Sequence, residues 1–260
     1  TLLACALAQM GATGDDRIAS ATFFTSQVDF TEAGDLMVFV DEAQLDSLEG
    51  TMKKRGYLDA SEMATTFNML RANDLIWSFV INNYLLGRSP AAFDLLYWNN
   101  DSTRMPVAMH SFYLRQMYLH NRLAEPGGIT LNGVPIDLGD VKIPVFLQSS
   151  REDHIAPYPS VFKATRLFSG PVTFMLAGSG HIAGVINPPE AQKYYYYTNP
   201  EIADDVEDWI EDAEHHPGSW WPFWHQWLYR RSGRKVPARE PGDGRLPVIE
   251  DAPGRYVTMK

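Results

Sequence analysis

An α/β fold is predicted by three features of the sequence. A strand-like run, Ile143-Pro144-Val145-Phe146-Leu147-Gln148-Ser149, opens into Ser150-Arg151-Glu152-Asp153-His154. A second run, Val172-Thr173-Phe174-Met175-Leu176-Ala177, opens into Gly178-Ser179-Gly180-His181. Ahead of both, residues 1–10 form an Ala/Leu-rich helix followed by a candidate strand from Ile18 to Thr25. Alternating helices and strands imply a mostly parallel sheet with flanking helices.

In chain order, the opening helix is expected to stop at Gly11 and Gly14, since glycine tolerates the backbone reversal at a helix end. The strand at 18–25 follows. Alternation then lapses until residue 143, and the stretch over 30–125 reads as a largely helical cap inserted between two core strands, with helical character at Glu62 to Asn83 and Met105 to Leu123. Within it Phe67, Leu70, Leu75, Trp77, Phe79, Val80, Ile81, Tyr84 and Leu85 are too apolar for a free surface and are expected to face the core or a partner chain. Past the second run, Asn187-Pro188-Pro189 breaks regular structure, and Tyr194 to Tyr197 reads as an edge strand or a buried segment. Glu201 to Glu214 is expected to be an exposed acidic helix, the aromatics of 220–227 a helix pinned to the core, and 233–253 a loop.

The loops after the two strong runs supply a carboxylate, Asp153, and then an imidazole, His181. That is the chain order of the last two members of the triad in the α/β-hydrolase fold, where each sits on a loop after a strand. Asp153 would hold His181 in one tautomer and stabilise its protonated form, and His181 would take a proton from a thiol or hydroxyl. The nucleophile is expected upstream. The chain reads as one that begins just behind a nucleophile elbow, with the N-terminal half of the fold absent, so that residues 1–260 form a partial catalytic domain.

Composition narrows the partners. The 260 residues are 45% hydrophobic and 21% charged, ordinary for one globular domain. A net charge of −10 without a dense basic stripe argues against nucleic acid. The single cysteine excludes an intrachain disulfide or a multi-cysteine metal site and fits a reducing compartment, so the cytoplasm is the expected location. No apolar run reaches membrane-spanning length.

Five segments together carry a family resemblance: Gly87-Arg88-Ser89-Pro90, Phe93-Asp94-Leu95-Leu96-Tyr97-Trp98-Asn99, Ser150-Arg151-Glu152-Asp153-His154-Ile155, Gly180-His181-Ile182-Ala183-Gly184-Val185-Ile186-Asn187-Pro188-Pro189 and His216-Pro217-Gly218-Ser219-Trp220-Trp221-Pro222. Nearly end to end, the chain resembles the C-terminal catalytic part of class I polyhydroxyalkanoate synthases. The resemblance implies transfer of (R)-3-hydroxyacyl groups from coenzyme A thioesters to a growing polyester through a cysteine thioester. It places that cysteine about four residues before Thr1, in a G-x-C-x-G elbow, and so not at Cys5. His181 would activate the thiol, and Asp153 would either orient His181 or help deprotonate the incoming 3-hydroxyl. The implied partners are hydroxyacyl-CoA and a polyester chain or granule surface, with no cofactor beyond the thioester substrate; the apolar insertion itself points to a homodimer through the cap. Family members often carry Cys in the segment that reads Met109-His110-Ser111-Phe112-Tyr113 here, so that thiol's contribution is absent and Ser111 is assigned no role. Two other outcomes are expected to be separable from polymerisation: an esterase or thioesterase of the same fold, and a non-catalytic granule-associated homologue.

Blander readings compete at several positions. His154 either helps organise the site or merely packs beside Asp153. Trp98, with Phe93 and Tyr97, either lines an acyl pocket or packs within the cap. Cys5, among Ala and Leu, reads as a small buried hydrophobe. Arg115 and Arg122 either meet coenzyme A phosphates or solvate a helix face. Gly178-Ser179-Gly180 lacks both the spacing and the following helix of a dinucleotide fingerprint. His215-His216 stands at no metal-ligand spacing and reads as an exposed helix end, so no metal is implied.

Overall fold

The computed structural model describes residues 1–70, 72–90 and 103–259. Its centre is a five-stranded sheet in the order β1-β6-β7-β8-β9, formed by β1 (Ala21–Phe24), β6 (Val145–Ser150), β7 (Val172–Ala177), β8 (Tyr195–Thr198) and β9 (Glu214–Pro217). β1, β6 and β7 run parallel, with Ala21 opposite Val145 and Val145 opposite Val172. β8 and β9 are antiparallel additions. The sheet is therefore mixed, where the sequence suggested a mostly parallel one.

Side-chain alternation gives the sheet two covered faces. Val145, Leu147, Phe174 and Leu176 point into the larger core cluster with Ala4, Cys5 and Leu7 of helix α1 (Leu2–Thr13), Phe162 of α5 (Tyr158–Phe162), Ala164 of α6 (Ala164–Leu167) and Trp209 of α7 (Val206–Glu211). Phe146, Met175 and Ala177 face the other way, onto Trp220 and Trp227 at helix α8 (Trp221–Tyr229). Every residue of β6 is buried, as expected of a parallel strand covered on both faces, and this is why its run reads as continuously apolar.

Between β1 and β6 the chain leaves the sheet. It forms α2 (Glu42–Arg55), the short pair β2 (Tyr57–Leu58) and β3 (Met105–Pro106), α3 (Ala60–Leu70) and α4 (Val107–Tyr113), and returns through a hairpin of β4 (Ile129–Leu131) and β5 (Val134–Ile136). Asp41 caps α2 by accepting from the Gln44 N–H at 2.8 Å, and Gly56 ends it in the left-handed region after Lys53, Lys54 and Arg55, cations that suit a helix C-terminus. Arg115 ties this layer together, donating to Glu49, Glu42 and Asp46 at 2.6–2.7 Å. Arg115 and then the Ser111 hydroxyl hold the Glu49 carboxyl down to about 2. Arg115 is thus committed to carboxylates, which argues against the phosphate role considered from the sequence.

Several expectations need correction. Gly11 lies inside α1, not at its end, and its missing side chain lets the Asp140 carbonyl pack where a Cβ would stand 2.2 Å away. The stretches read as helical in character are so with interruptions: Glu62 to Asn83 contains π-helical turns at Asn73–Trp77 and Val80–Leu85, and Met105 to Leu123 opens as a strand and passes through a π-helical turn at Leu114–Leu119. The tyrosine run is not an edge strand, because β9 pairs outside it. His215-His216 belongs to β9, where the His215 ring packs 5.2 Å from Tyr195 and Tyr197 and His216 stacks 4.7 Å from Tyr196. The acidic segment is helical over Val206–Glu211, with Val206 and Trp209 buried. Of the two alternatives for the apolar insertion, core or partner chain, the core is not the one taken by Leu75, Trp77, Phe79, Ile81, Tyr84 and Leu85, which are exposed, Tyr84 at 85%. Among the described residues no helix is long and apolar enough to cross a membrane.

Candidate active site

The loops that follow β6 and β7 are neighbours because their strands are paired in register, Ser150 opposite Ala177. The pairing continues beyond the strands. Arg151 N–H donates to the Ala177 carbonyl at 2.8 Å and Glu152 N–H to the Ser179 carbonyl at 3.0 Å, so the two loops leave the sheet as one zippered unit. Ser179 sits at φ 77°, a left-handed conformation that is uncommon outside glycine and frequent at functional loops.

This unit brings Asp153 and His181 together, with His181 Nδ1 2.7 Å from Asp153 Oδ2. The Asp153 side chain has no exposed surface, whereas the imidazole is 32% exposed. The other carboxylate oxygen, Oδ1, accepts the N–H groups of Ile155 and Ala156 at 2.8 and 2.9 Å. An ionised carboxylate can only accept, so opposite an ionised Asp153 a neutral His181 would carry its proton on Nδ1 and its lone pair on Nε2. The pair is arranged as a base with its orienting acid.

The imidazole loop is anchored from below by contacts that sequence reasoning missed. The buried Trp220 donates its indole N–H to the Gly184 carbonyl at 2.8 Å, and Trp221 donates to the Val185 carbonyl at 3.0 Å. Gly184 has no room for a side chain: a Cβ would lie 2.1 Å from Ser150 Oγ. The buried Asn187 amide donates to the Lys193 carbonyl at 3.0 Å and to the Gly218 carbonyl at 3.4 Å, and the Asn187 carbonyl accepts from Ser219 Oγ at 2.5 Å. The segments 180–189 and 216–222, noted in the sequence as separate motifs, are thus one structural unit. Their distance along the chain hid this.

Other sequence candidates fall elsewhere. His154 is half-buried next to Asp153, with its carbonyl against Gly34. Trp98, with Phe93 and Tyr97, lies outside the described residues. Cys5 is buried among the core residues of α1, and burial pushes its thiol pKa up, the opposite of what a nucleophile needs. Ser111 donates to Glu49. Among the described residues no cluster of three or more His, Cys, Asp or Glu side chains is placed to hold a metal ion.

The first turn of α1 starts at this same edge of the sheet. Thr1 donates from its backbone nitrogen to Ser26 Oγ at 2.8 Å and from its hydroxyl to the Gln27 carbonyl at 2.8 Å, just past the carboxyl end of β1. The carboxyl ends of β1, β6 and β7, the dyad and the start of α1 therefore share one rim, where ligands of open α/β sheets bind.

No protein-family model matches the chain. Among characterised proteins it is 57% identical to a poly(3-hydroxyalkanoate) polymerase of Methylorubrum extorquens over 261 residues, all of this chain and 43% of that protein. It is 56% identical to the poly(3-hydroxyalkanoate) polymerase subunit PhaC of Rhizobium meliloti, covering all of this chain and 42% of the relative. The corresponding subunit of Cupriavidus necator is 43% identical, with all of this chain and 45% of the relative aligned. The chain thus spans less than half the length of these relatives.

Proposed function

We propose, for a chain homologous from end to end to poly(3-hydroxyalkanoate) polymerases, that it carries the acid and base of an α/β-hydrolase-type acyltransferase that builds polyester from hydroxyacyl-CoA. The observation that carries the reading is the 2.7 Å contact between His181 Nδ1 and Asp153 at the carboxyl edge of the parallel strands. In this reading a cysteine in the polypeptide leading into α1 is the nucleophile. His181 Nε2 takes its proton, the thiolate attacks the thioester carbonyl, and coenzyme A leaves as a thiol with the proton that His181 returns. His181 then takes the proton of the incoming 3-hydroxyl, which attacks the enzyme thioester and regenerates the cysteine thiol.

The burial of Asp153 supports one of its two candidate roles. With no exposed surface and both oxygens engaged, it is placed to orient and stabilise His181, not to meet a substrate hydroxyl. Residues 30–125 act in this reading as a cap that keeps water from the thioester, so that a hydroxyl is the acceptor. The exposed Trp77, Phe79, Tyr84 and Leu85 support a cap surface that meets a second subunit at the polyester granule.

The test uses the full-length polypeptide. With 3-hydroxybutyryl-CoA, quenching in acid and mapping the acylated peptides should place the adduct on a cysteine N-terminal to Thr1, with Cys5 unmodified. An adduct on Cys5, or none on any cysteine while CoA is released, contradicts the reading.

A further inference from the structure

A cleft of about 600 Å³ opens at the opposite edge of the sheet from the dyad, where β7 begins, β8 ends and α8 finishes. That volume falls in the range of small-molecule sites. Its walls include Thr173, Thr198, Phe223, Trp227, Arg230 and Arg231. In a chain of net charge −10, two arginines line this space and no Asp or Glu does.

Arg231 is unusual in how little of its hydrogen-bonding capacity is used. Its guanidinium sits over the Trp227 ring with Cζ 4.1 Å from the centroid, and Nη1 donates to the Trp227 carbonyl at 2.8 Å. That bond satisfies a carbonyl at the helix end, an ordinary duty for a basic residue there. The Nε atom, however, is shut off from solvent without an acceptor. Burial, followed by the neighbouring Arg230 charge, lowers the Arg231 pKa, and no carboxylate acts against them. Glu214, across from Thr198 in the strand register, is highly exposed and lies 3.8 Å from His216. Trp227 is itself fixed, donating to Thr173 Oγ1 at 3.1 Å, so the platform under the guanidinium is rigid. A guanidinium held on an indole, beside a second guanidinium in the wall of a ligand-sized cleft, fixes two positive charges where an oxyanion can meet them.

We propose that this cleft binds a phosphate-bearing small molecule, with Arg231 and Arg230 meeting the phosphate oxygens and the Phe223–Trp227 wall meeting the ligand's apolar body. The site is separate from the thioester chemistry and does not depend on it. Two sources share the phosphate chemistry, free inorganic phosphate and an organic phosphate ester, and the apolar wall favours the ester.

Calorimetric titration of the full-length protein at constant ionic strength tests this, with inorganic phosphate in one arm and adenosine monophosphate in the other. Saturable binding is expected in both, tighter for the monophosphate by about tenfold if the wall contributes. Arg231→Gln should weaken both by about tenfold or more, and Arg231→Lys, which keeps the charge but loses the guanidinium over the Trp227 ring, by a smaller factor. Arg245→Gln, on the exposed tail, should leave both unchanged. Circular dichroism of the variants separates lost binding from lost folding, and Arg230→Gln, at an exposed position, gives a second route to the same loss. Absence of saturable binding in both arms, or binding that survives Arg231→Gln and Arg230→Gln unchanged in a folded protein, overturns the proposal.

Discussion

Replacing Asp153 by Asn in the full-length polypeptide should lower the rate of CoA release by about 10³–10⁴-fold while leaving the fold in place. The size of the effect follows from where the new amide must point. Oδ1 of Asp153 accepts two backbone N–H groups, from Ile155 and Ala156, and an Asn must keep its carbonyl oxygen there or leave both donors buried and unpaired. Its NH2 group then faces His181 Nδ1, where the carboxylate oxygen stood at 2.7 Å. An NH2 donor demands a lone pair on Nδ1, which moves the ring proton to Nε2, and an imidazole with Nε2 protonated cannot accept a proton from a thiol. Steady-state kinetics with thiol-detected CoA release, alongside circular dichroism, reads the outcome. A loss of less than about tenfold in a folded protein would mean that the tautomer of His181 does not limit the reaction.

The largest effect on stability is expected at Trp220. Its side chain is fully buried, stacks on Trp221 with centroids 4.3 Å apart, contacts Phe146 and donates to the Gly184 carbonyl. Trp220→Ala should cost about 3–5 kcal/mol, the range for removing a large buried aromatic. Trp220→Phe keeps most of the ring and loses the N–H donor, leaving a buried carbonyl unmatched at about 1–3 kcal/mol. Urea denaturation of the two variants separates packing from hydrogen bonding. If Trp220→Ala shifts stability by under about 1 kcal/mol, the anchor described for the His181 loop is not bearing on it.

The dyad was legible because strand-ending loops announce themselves: apolar runs stop abruptly at Ser150 and Gly178, and the polar residues that follow have nowhere to go but the sheet edge. The parallel core strands were legible for the same reason, β6 being buried on both faces. The antiparallel strands were harder. Glu214-His215-His216-Pro217 has an acid, two histidines and a proline, and its pairing comes from the aromatic neighbours on β8, which local propensity does not contain. The π-helical turns at Asn73–Trp77, Val80–Leu85 and Leu114–Leu119 leave no mark on a 3.6-residue pattern, so the sequence showed only helical character there and not these turns. The indole donors of Trp220 and Trp221 reach carbonyls 36 residues earlier in the chain, a contact that requires the assembled sheet.

The central claim is that His181 is the base that readies a thiol for acyl transfer, and single-turnover acylation of the full-length polypeptide tests it most directly. With enzyme in excess over 3-hydroxybutyryl-CoA, His181→Gln should slow the first release of CoA by about 10²–10⁴-fold at neutral pH, with the partial recovery at high pH expected when the thiol ionises without help. First-turnover release in His181→Gln at the rate of the unmodified protein would contradict the account.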